Sequence, residues 1–181
     1  MTSTIPFPVL TARLIIRPMQ LSDAAGLFQV YGDADLMRHL TTDVPRNLAE
    51  AEEWVRGKMG LFQNQGGLSL WTVLERETGR VVGDAGLQWE DHGSGPIVGL
   101  GGRGARAFWH RGLALEASEA CLDVGFRHLD LDEIGAETGP GNVAAQRLLD
   151  RLGMRRRGTN LDGWPVYVIS RDDWKARRPR A

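Results

Sequence analysis

The residues whose types and spacing could do chemistry lie in the run Arg106-Ala-Phe-Trp-His-Arg-Gly-Leu-Ala-Leu-Glu-Ala117. Gly112 sits where an extended segment gives way to a helix-patterned stretch carrying Glu116, Ala117, Ala120 and Cys121. A basic, glycine-bearing turn opening onto a helix is a device for holding phosphate. The first backbone N–H groups of a helix have no partner within it, and the helix dipole adds partial positive charge at that end. Gly112 lets the backbone approach an anion closely, and Arg111 and His110 add charge. The stretch predicts a pyrophosphate cradle.

The residues just before it, Gly99-Leu-Gly-Gly-Arg-Gly104, match the spacing of a dinucleotide-binding glycine fingerprint. That fingerprint needs a helix opening within the glycines and a parallel crossover to an acidic residue on a second strand. Here the glycines follow a hairpin and the helix starts only after Gly112, so the assignment fails. A better account places Gly102, Arg103 and Gly104 at the end of a strand that splays from its neighbour. Its free N–H and C=O groups then pair with an extended, amide-containing ligand as an added strand would. Pantetheine, with two amides followed by a pyrophosphate, is such a ligand. Asn142, at the head of the next helix, either contacts that arm or caps its helix.

The elements that must position these residues follow in order. Leu10 to Pro18 reads as a first strand, and Ser22 and Asp23 as caps of a helix to about Tyr31. A short helical turn spans Asp33 to Leu40; His39 within it has no metal-ligand spacing around it and reads as structural. Asn47 and Glu50 open a helix to about Met59, and Gly60 to Gly67 reads as a flexible break. Strands follow at Leu68–Glu75, Val81–Glu90 and about Ile97–Ala105, with turns between them. The helix after Gly112 runs to about Leu129, a strand covers Glu133–Thr138, and a helix from Val143 to Leu152 is closed by Gly153. Met154–Arg157 and Trp164–Ser170 form a final strand pair. A short turn beginning at Asp172 and a basic tail from Lys175 end the chain. Hairpins and a crossover in one chain predict a mixed α/β (α+β) sheet.

At 181 residues the chain is long enough for one domain, spanning 1–181, with a sizeable core. A net charge of −1 gives no global pull toward nucleic acid or membranes, and no apolar run reaches membrane-spanning length. The lone Cys121 excludes an internal disulfide and reads as a small buried hydrophobe, not a nucleophile. With no signal-peptide pattern at the start, these features point to the cytoplasm.

Trp109-His-Arg-Gly-Leu-Ala114, continuing into Leu115-Glu-Ala117, resembles the acetyl-CoA signature of the GNAT N-acyltransferase superfamily. The branch it is similar to contains the ribosomal-protein N-terminal acetyltransferases. The resemblance extends to Thr11–Pro18, Leu36–Leu40, the Glu77-Thr-Gly hairpin, Ala136 to Met154 and Arg171-Asp-Asp-Trp174. It implies a splayed, mostly antiparallel central sheet of about seven strands flanked by helices. It also implies transfer of an acetyl group from acetyl-CoA to a primary amine, a peptide N-terminus or a small molecule, with no metal. The backbone of Gly102, Arg103 and Gly104 would hold the pantetheine arm. Trp109, His110, Arg111, Gly112, Leu113 and Ala114 would supply the pyrophosphate site, and Asn142 would face the pantetheine or the acceptor. A monomer and a homodimer both remain open.

Four positions depart from that pattern. Gly99 and Gly102 stand where the branch commonly has a glutamate and a tyrosine, Ala145 where it has a serine, and Leu149 where other relatives carry a tyrosine acid. Either the acid is dispensable, a CoA thiolate being a tolerable leaving group near neutral pH, or a strand-end residue substitutes, Tyr167, Glu90, Asp91 or Glu137, each also open to a structural explanation. The alternative is a GNAT-fold protein that keeps acyl-CoA binding as a sensor or interaction module and has lost transfer. Arg155-Arg-Arg157 reads as a charge run on an exposed edge strand.

Overall fold

The computed structural model describes residues 5–33, 37, 45–91 and 95–177. The sheet strands are β1 (Val9–Leu10), β2 (Leu14–Arg17), β3 (Ser69–Glu75), β4 (Val81–Asp91), β5 (Pro96–Gly104), β6 (Glu133–Glu137), β7 (Arg155–Thr159) and β8 (Pro165–Ser170). The helices are α1 (Ala24–Tyr31), α2 (Leu48–Asn64), α3 (Leu113–His128), α4 (Val143–Leu152) and α5 (Arg171–Arg177). The strands lie in the order β1-β2-β3-β4-β5-β6-β8-β7, and every neighbouring pair is antiparallel except β5 and β6. This is the mixed, mostly antiparallel architecture expected, with eight strands among the described residues where about seven were expected. The first expected strand is broken in two, because the Thr11 hydroxyl accepts from the Leu14 N–H at 2.9 Å and turns the chain there.

Side-chain alternation sorts the residues onto two faces. Leu87 of β4 and Ile134 of β6 point at α3, where their methyl groups close on Gly125. Buried with them are Trp71, Cys121, Leu122, Leu152 and Ile169. On the other face α1 and α2 pack through Leu27, Tyr31 and Val55 against Leu70 of β3.

Several local expectations change. Asp23 is not a simple helix cap: it is 4% exposed, accepts both guanidinium nitrogens of Arg17 at 2.7 Å, and takes the Thr72 hydroxyl at 2.6 Å. These bonds tie β2, β3 and the start of α1 together. The break expected from Gly60 does not occur before Asn64. Gly57 and Gly60 face open space, and the helix is carried across them by its buried Ala51 and Val55 side. At the C-terminus the expected turn is a helix. Trp174, 4% exposed, donates its indole N–H to Asp123 at 2.9 Å and docks α5 on α3. Strand β7 is exposed throughout, as its arginines suggested. The turn expected over Asp33–Leu40, with His39, and the residues 178–181 of the basic tail lie largely outside the described residues. No helix among the described residues is long and apolar enough to cross a membrane.

Candidate active site

Strand β5 is paired with β4 along its whole length, from Asp91↔Pro96 to Gly83↔Gly104, but meets β6 at one position, Gly99↔Gly135. Beyond it the strands part. The Ala105 N–H donates to Val82 O across β4 at 2.7 Å. Since backbone groups alternate in direction along a strand, those of Arg103 also face β4, while those of Gly102 and Gly104 face the opening. The Gly104 carbonyl is met there by the Trp109 indole N–H at 2.7 Å. The opening is therefore lined by backbone groups with no β6 strand to take them.

The strand leads directly to the turn. Phe108 is buried and lies between the guanidinium groups of Arg80 and Arg111, 5.9 and 5.3 Å from its ring. Arg106 stacks over Trp109 and pairs with Asp33 at 2.9 Å. His110 and Gly112 both have left-handed backbones, φ 58° and 75°, on either side of Arg111. Such alternation turns successive N–H groups toward one concavity. Gly112 then caps α3 with no side-chain hydrogen bond, so its first N–H groups are not claimed by a capping side chain. Leu113 is buried and pins the helix start; Ala114 is small and exposed.

The acidic residue in that first turn is turned aside. Glu116 accepts the Thr11 hydroxyl at 2.5 Å, the Arg13 N–H at 2.8 Å and the Arg13 guanidinium at 2.7 Å. Burial alone would raise its pKa, but these bonds outweigh it and hold the carboxyl below its usual range. Arg111 does not aim its charge at the cradle either: its guanidinium binds Glu75 at 2.8 Å. A cation at the turn's backbone is Arg13, which donates to the Arg111 carbonyl at 2.7 Å. Asn142, on the β6 side of the opening, uses Oδ1 to cap α4 through the Ala145 N–H at 3.1 Å.

The residues considered for proton handling fall on different faces. Tyr167 of β8 is 6% exposed and belongs to the core beside α3 and α4. Asp91 is exposed at the end of β4. Glu137 is exposed and accepts the Asn160 amide at 2.9 Å. Glu90 faces the α1/α2 side, where its carboxyl lies over Gly99, in the volume a Cβ on that glycine would need.

A buried polar cluster on this same face escaped the sequence. The Tyr31 hydroxyl donates to Asp84, the Arg103 guanidinium lies 3.6 Å from the same carboxylate, and Lys58 donates to Gln88 at 3.1 Å. Burial raises the Asp84 pKa and drives that of Tyr31 well above its ordinary value; burial lowers that of Lys58. Asp84 sits in the apolar run Val81-Val-Gly-Asp-Ala-Gly-Leu87, and a carboxylate there was the available signal. Cys121 is fully buried and its thiol pKa is pushed up, which fits a structural residue.

Residues 13–155 match the model of the acetyltransferase (GNAT) domain. The YkkB protein of Bacillus subtilis (strain 168) is 30% identical over 169 residues, covering 92% of this chain and 96% of that one. An uncharacterized N-acetyltransferase, p20 of Bacillus licheniformis, is 27% identical and covers 84% of each chain. Among solved structures, a GNAT-family acetyltransferase from Bacillus anthracis superposes with a TM-score of 0.74 at 22% identity, covering 91% of this chain and 98% of that one. RimJ of Mycobacterium smegmatis, in complex with CoA-disulfide, superposes with a TM-score of 0.75 at 18% identity, covering 97% and 91%. The split sheet, the glycine strand and the match across most of the sequence converge: the chain belongs to the GNAT acetyltransferase family.

Proposed function

We propose that the protein is an N-acetyltransferase that moves an acetyl group from acetyl-CoA to a primary amine by direct attack, acting as one domain in the cytoplasm. The observation that carries this is the continuous backbone surface from the open edge of β5 to the N-terminus of α3. Gly102 and Gly104 would pair with the pantetheine amides, and the N–H groups from His110 to Ala114 would take the pyrophosphate. The fit is favourable on two counts. Gly102 and Gly104 bring no side chain of their own to the edge, where the Trp109 indole meets the Gly104 carbonyl, and the helix start carries neither a side-chain cap nor a carboxylate aimed at it. The complex of RimJ with a CoA derivative supports the same donor.

Acetyl-CoA supplies an activated thioester. The chain would orient it and offer an N–H to the oxygen that gains charge during attack, so positioning and that contact carry the rate. A second reading, an acyl-CoA-binding module without transfer, draws on Ala145 and Leu149, which hold no group able to protonate the departing sulfur.

The test has two readouts. Acetyl-CoA at about a hundred times its dissociation constant should stabilise the protein by roughly 2.7 kcal/mol, and Gly112→Glu should abolish this shift. Thiol release is then followed with tetrapeptides beginning with Ser, Ala or Thr, with 1,4-diaminobutane and with glycinamide. Amine-dependent release is expected. Stabilisation without release from any acceptor would favour the binding module, and no stabilisation would remove the donor assignment.

A further inference from the structure

Transfer to an amine requires a proton acceptor, because the amine arrives largely as ammonium and is nucleophilic only after losing a proton. We propose that Glu90 is the carboxylate that receives the acceptor's ammonium group and takes this proton, with Gln88 and Lys58 as its positioning residues. This rests on the acetyltransferase assignment above and names the amine side of the same site.

The geometry begins with three positions on one face of two paired strands. Gln88 is paired with Gly99, and Glu90 is the next residue of β4 on the face that α2 covers. Gly99 is also the one position where β5 meets β6, so it marks the inner end of the opening. From Gly104 to Gly99 a strand spans roughly 17 Å at about 3.3 Å per residue, which suits an extended arm whose reactive end stops near Gly99. A glycine here clears the surface of any side chain of its own. The carboxyl of Glu90 fills that clearing instead: a Cβ on Gly99 would stand 2.9 Å from Oε1 and closer still to Oε2. A side chain at 99 and the observed Glu90 conformation are therefore mutually exclusive.

The carboxyl is held by two neighbours. Lys58 of α2 donates to Gln88 Oε1 at 3.1 Å, which orients the amide so that its Nε2 donates to Glu90 Oε1 at 3.3 Å. Among the described residues, Lys58 from α2 and Arg103 from β5 are charged groups coupled to Glu90. A carboxylate attracts ammonium and can take a proton from it. Glu137, on the far side of the opening, is engaged by Asn160, and Tyr167 lies in the core of the opposite face.

The step balances as follows. Glu90 takes a proton from the ammonium and passes it to solvent. The freed nitrogen lone pair forms the C–N bond at the thioester carbon. Collapse breaks the C–S bond with its electron pair leaving on sulfur, and the remaining excess proton on nitrogen is lost as the amide forms and the thiolate becomes thiol. The net result is amide, thiol and one proton to solvent.

The test uses the full chain and the amine panel named above. Glu90→Gln keeps shape and removes charge. It should lower kcat about a hundredfold or more while leaving the acetyl-CoA-induced thermal shift intact. Its kcat/KM should follow deprotonation of the amine itself, near about 8 for a peptide N-terminus, without the wild-type activity at lower pH. Calorimetry of the peptides on CoA-loaded protein should show binding that Glu90→Gln weakens at least tenfold. Gly99→Ala, which displaces the carboxyl, should lose turnover, and Glu90→Ala combined with Gly99→Glu, which returns a carboxylate from the neighbouring strand, should regain part of it. Gln88→Leu should shift the pH profile with a smaller loss of kcat. Unchanged kcat and pH profile in Glu90→Gln, or no amine binding to the CoA-loaded wild type, would overturn the assignment. A wild type that binds no acetyl-CoA would instead overturn the donor reading.

Discussion

Asp84 shows how one residue can matter to the fold and to the site at once. It is 3% exposed, faces Arg103 across 3.6 Å and receives the Tyr31 hydroxyl. Removing one partner of a buried pair leaves the other charge in a poorly solvating layer. Asp84→Ala should therefore cost about 3–5 kcal/mol in urea unfolding, more than an exposed pair such as Arg56 with Glu52, whose loss should cost under about 1 kcal/mol. This residue was visible as a charge in an apolar strand, but its partners were not. Tyr31, Lys58 and Arg103 come from three separate elements, and nothing in their local spacing announces that α1, α2 and β5 bring them together. Glu90 was legible only as one strand-end carboxylate among several. What singles it out is the space above Gly99, which depends on strand register.

At the scale of elements, α3 carries the cradle and is seated on the sheet through Gly125. A Cβ there would stand 2.5 Å from Ile134 Cδ1 and 2.9 Å from Leu87 Cδ1. Gly125→Val should overpack this contact and cost about 1–3 kcal/mol in a thermal melt, with acetyl-CoA affinity falling as the helix start is displaced. Gly125→Ala should do less of both. Elements with long, regular patterns were readable in advance: β4, β5, α3 and α4 lie within a residue or two of their expected bounds. The turn before α3 belongs to this group because its signal is local, a left-handed glycine before an apolar helix. The misjudged elements were those decided by partners far away in sequence. α2 continues past Gly60 because its apolar side is already buried, and α5 forms because Trp174 finds Asp123.

At the scale of the whole molecule, carboxylates set the response to acid. Asp23 is buried, which alone would raise its pKa, yet Arg17, Thr72 and the Gln20 N–H together hold it below its ordinary value; Glu116 is lowered in the same manner by Thr11 and Arg13. A group whose folded pKa is depressed lends stability above its unfolded pKa, about 3.9 for Asp and 4.3 for Glu, and that stability is lost as pH falls through the folded value. Asp84 runs the other way, since its raised pKa makes its ionised form unfavourable and acidification relieves that cost. Among the described residues five carboxyls are depressed, Glu50, Glu75 and Asp173 joining Asp23 and Glu116, against Asp84 raised, which predicts a net loss of stability below about pH 4, measured by urea unfolding between pH 3 and 7. Asp23→Asn should be less stable at pH 7 and show a shallower fall toward pH 3.

The single paired position between β5 and β6 has a consequence for how such a protein can diversify. In the proposed acetyltransferase the donor side of the opening would be written in main-chain atoms, which a point mutation cannot delete, and would ask of Gly102 and Gly104 only that they stay small. The acceptor side would be written in side chains, Glu90, Gln88 and Lys58 among them, each replaceable by one codon. Change in the amine that is modified can therefore proceed step by step while the currency of the reaction stays the same.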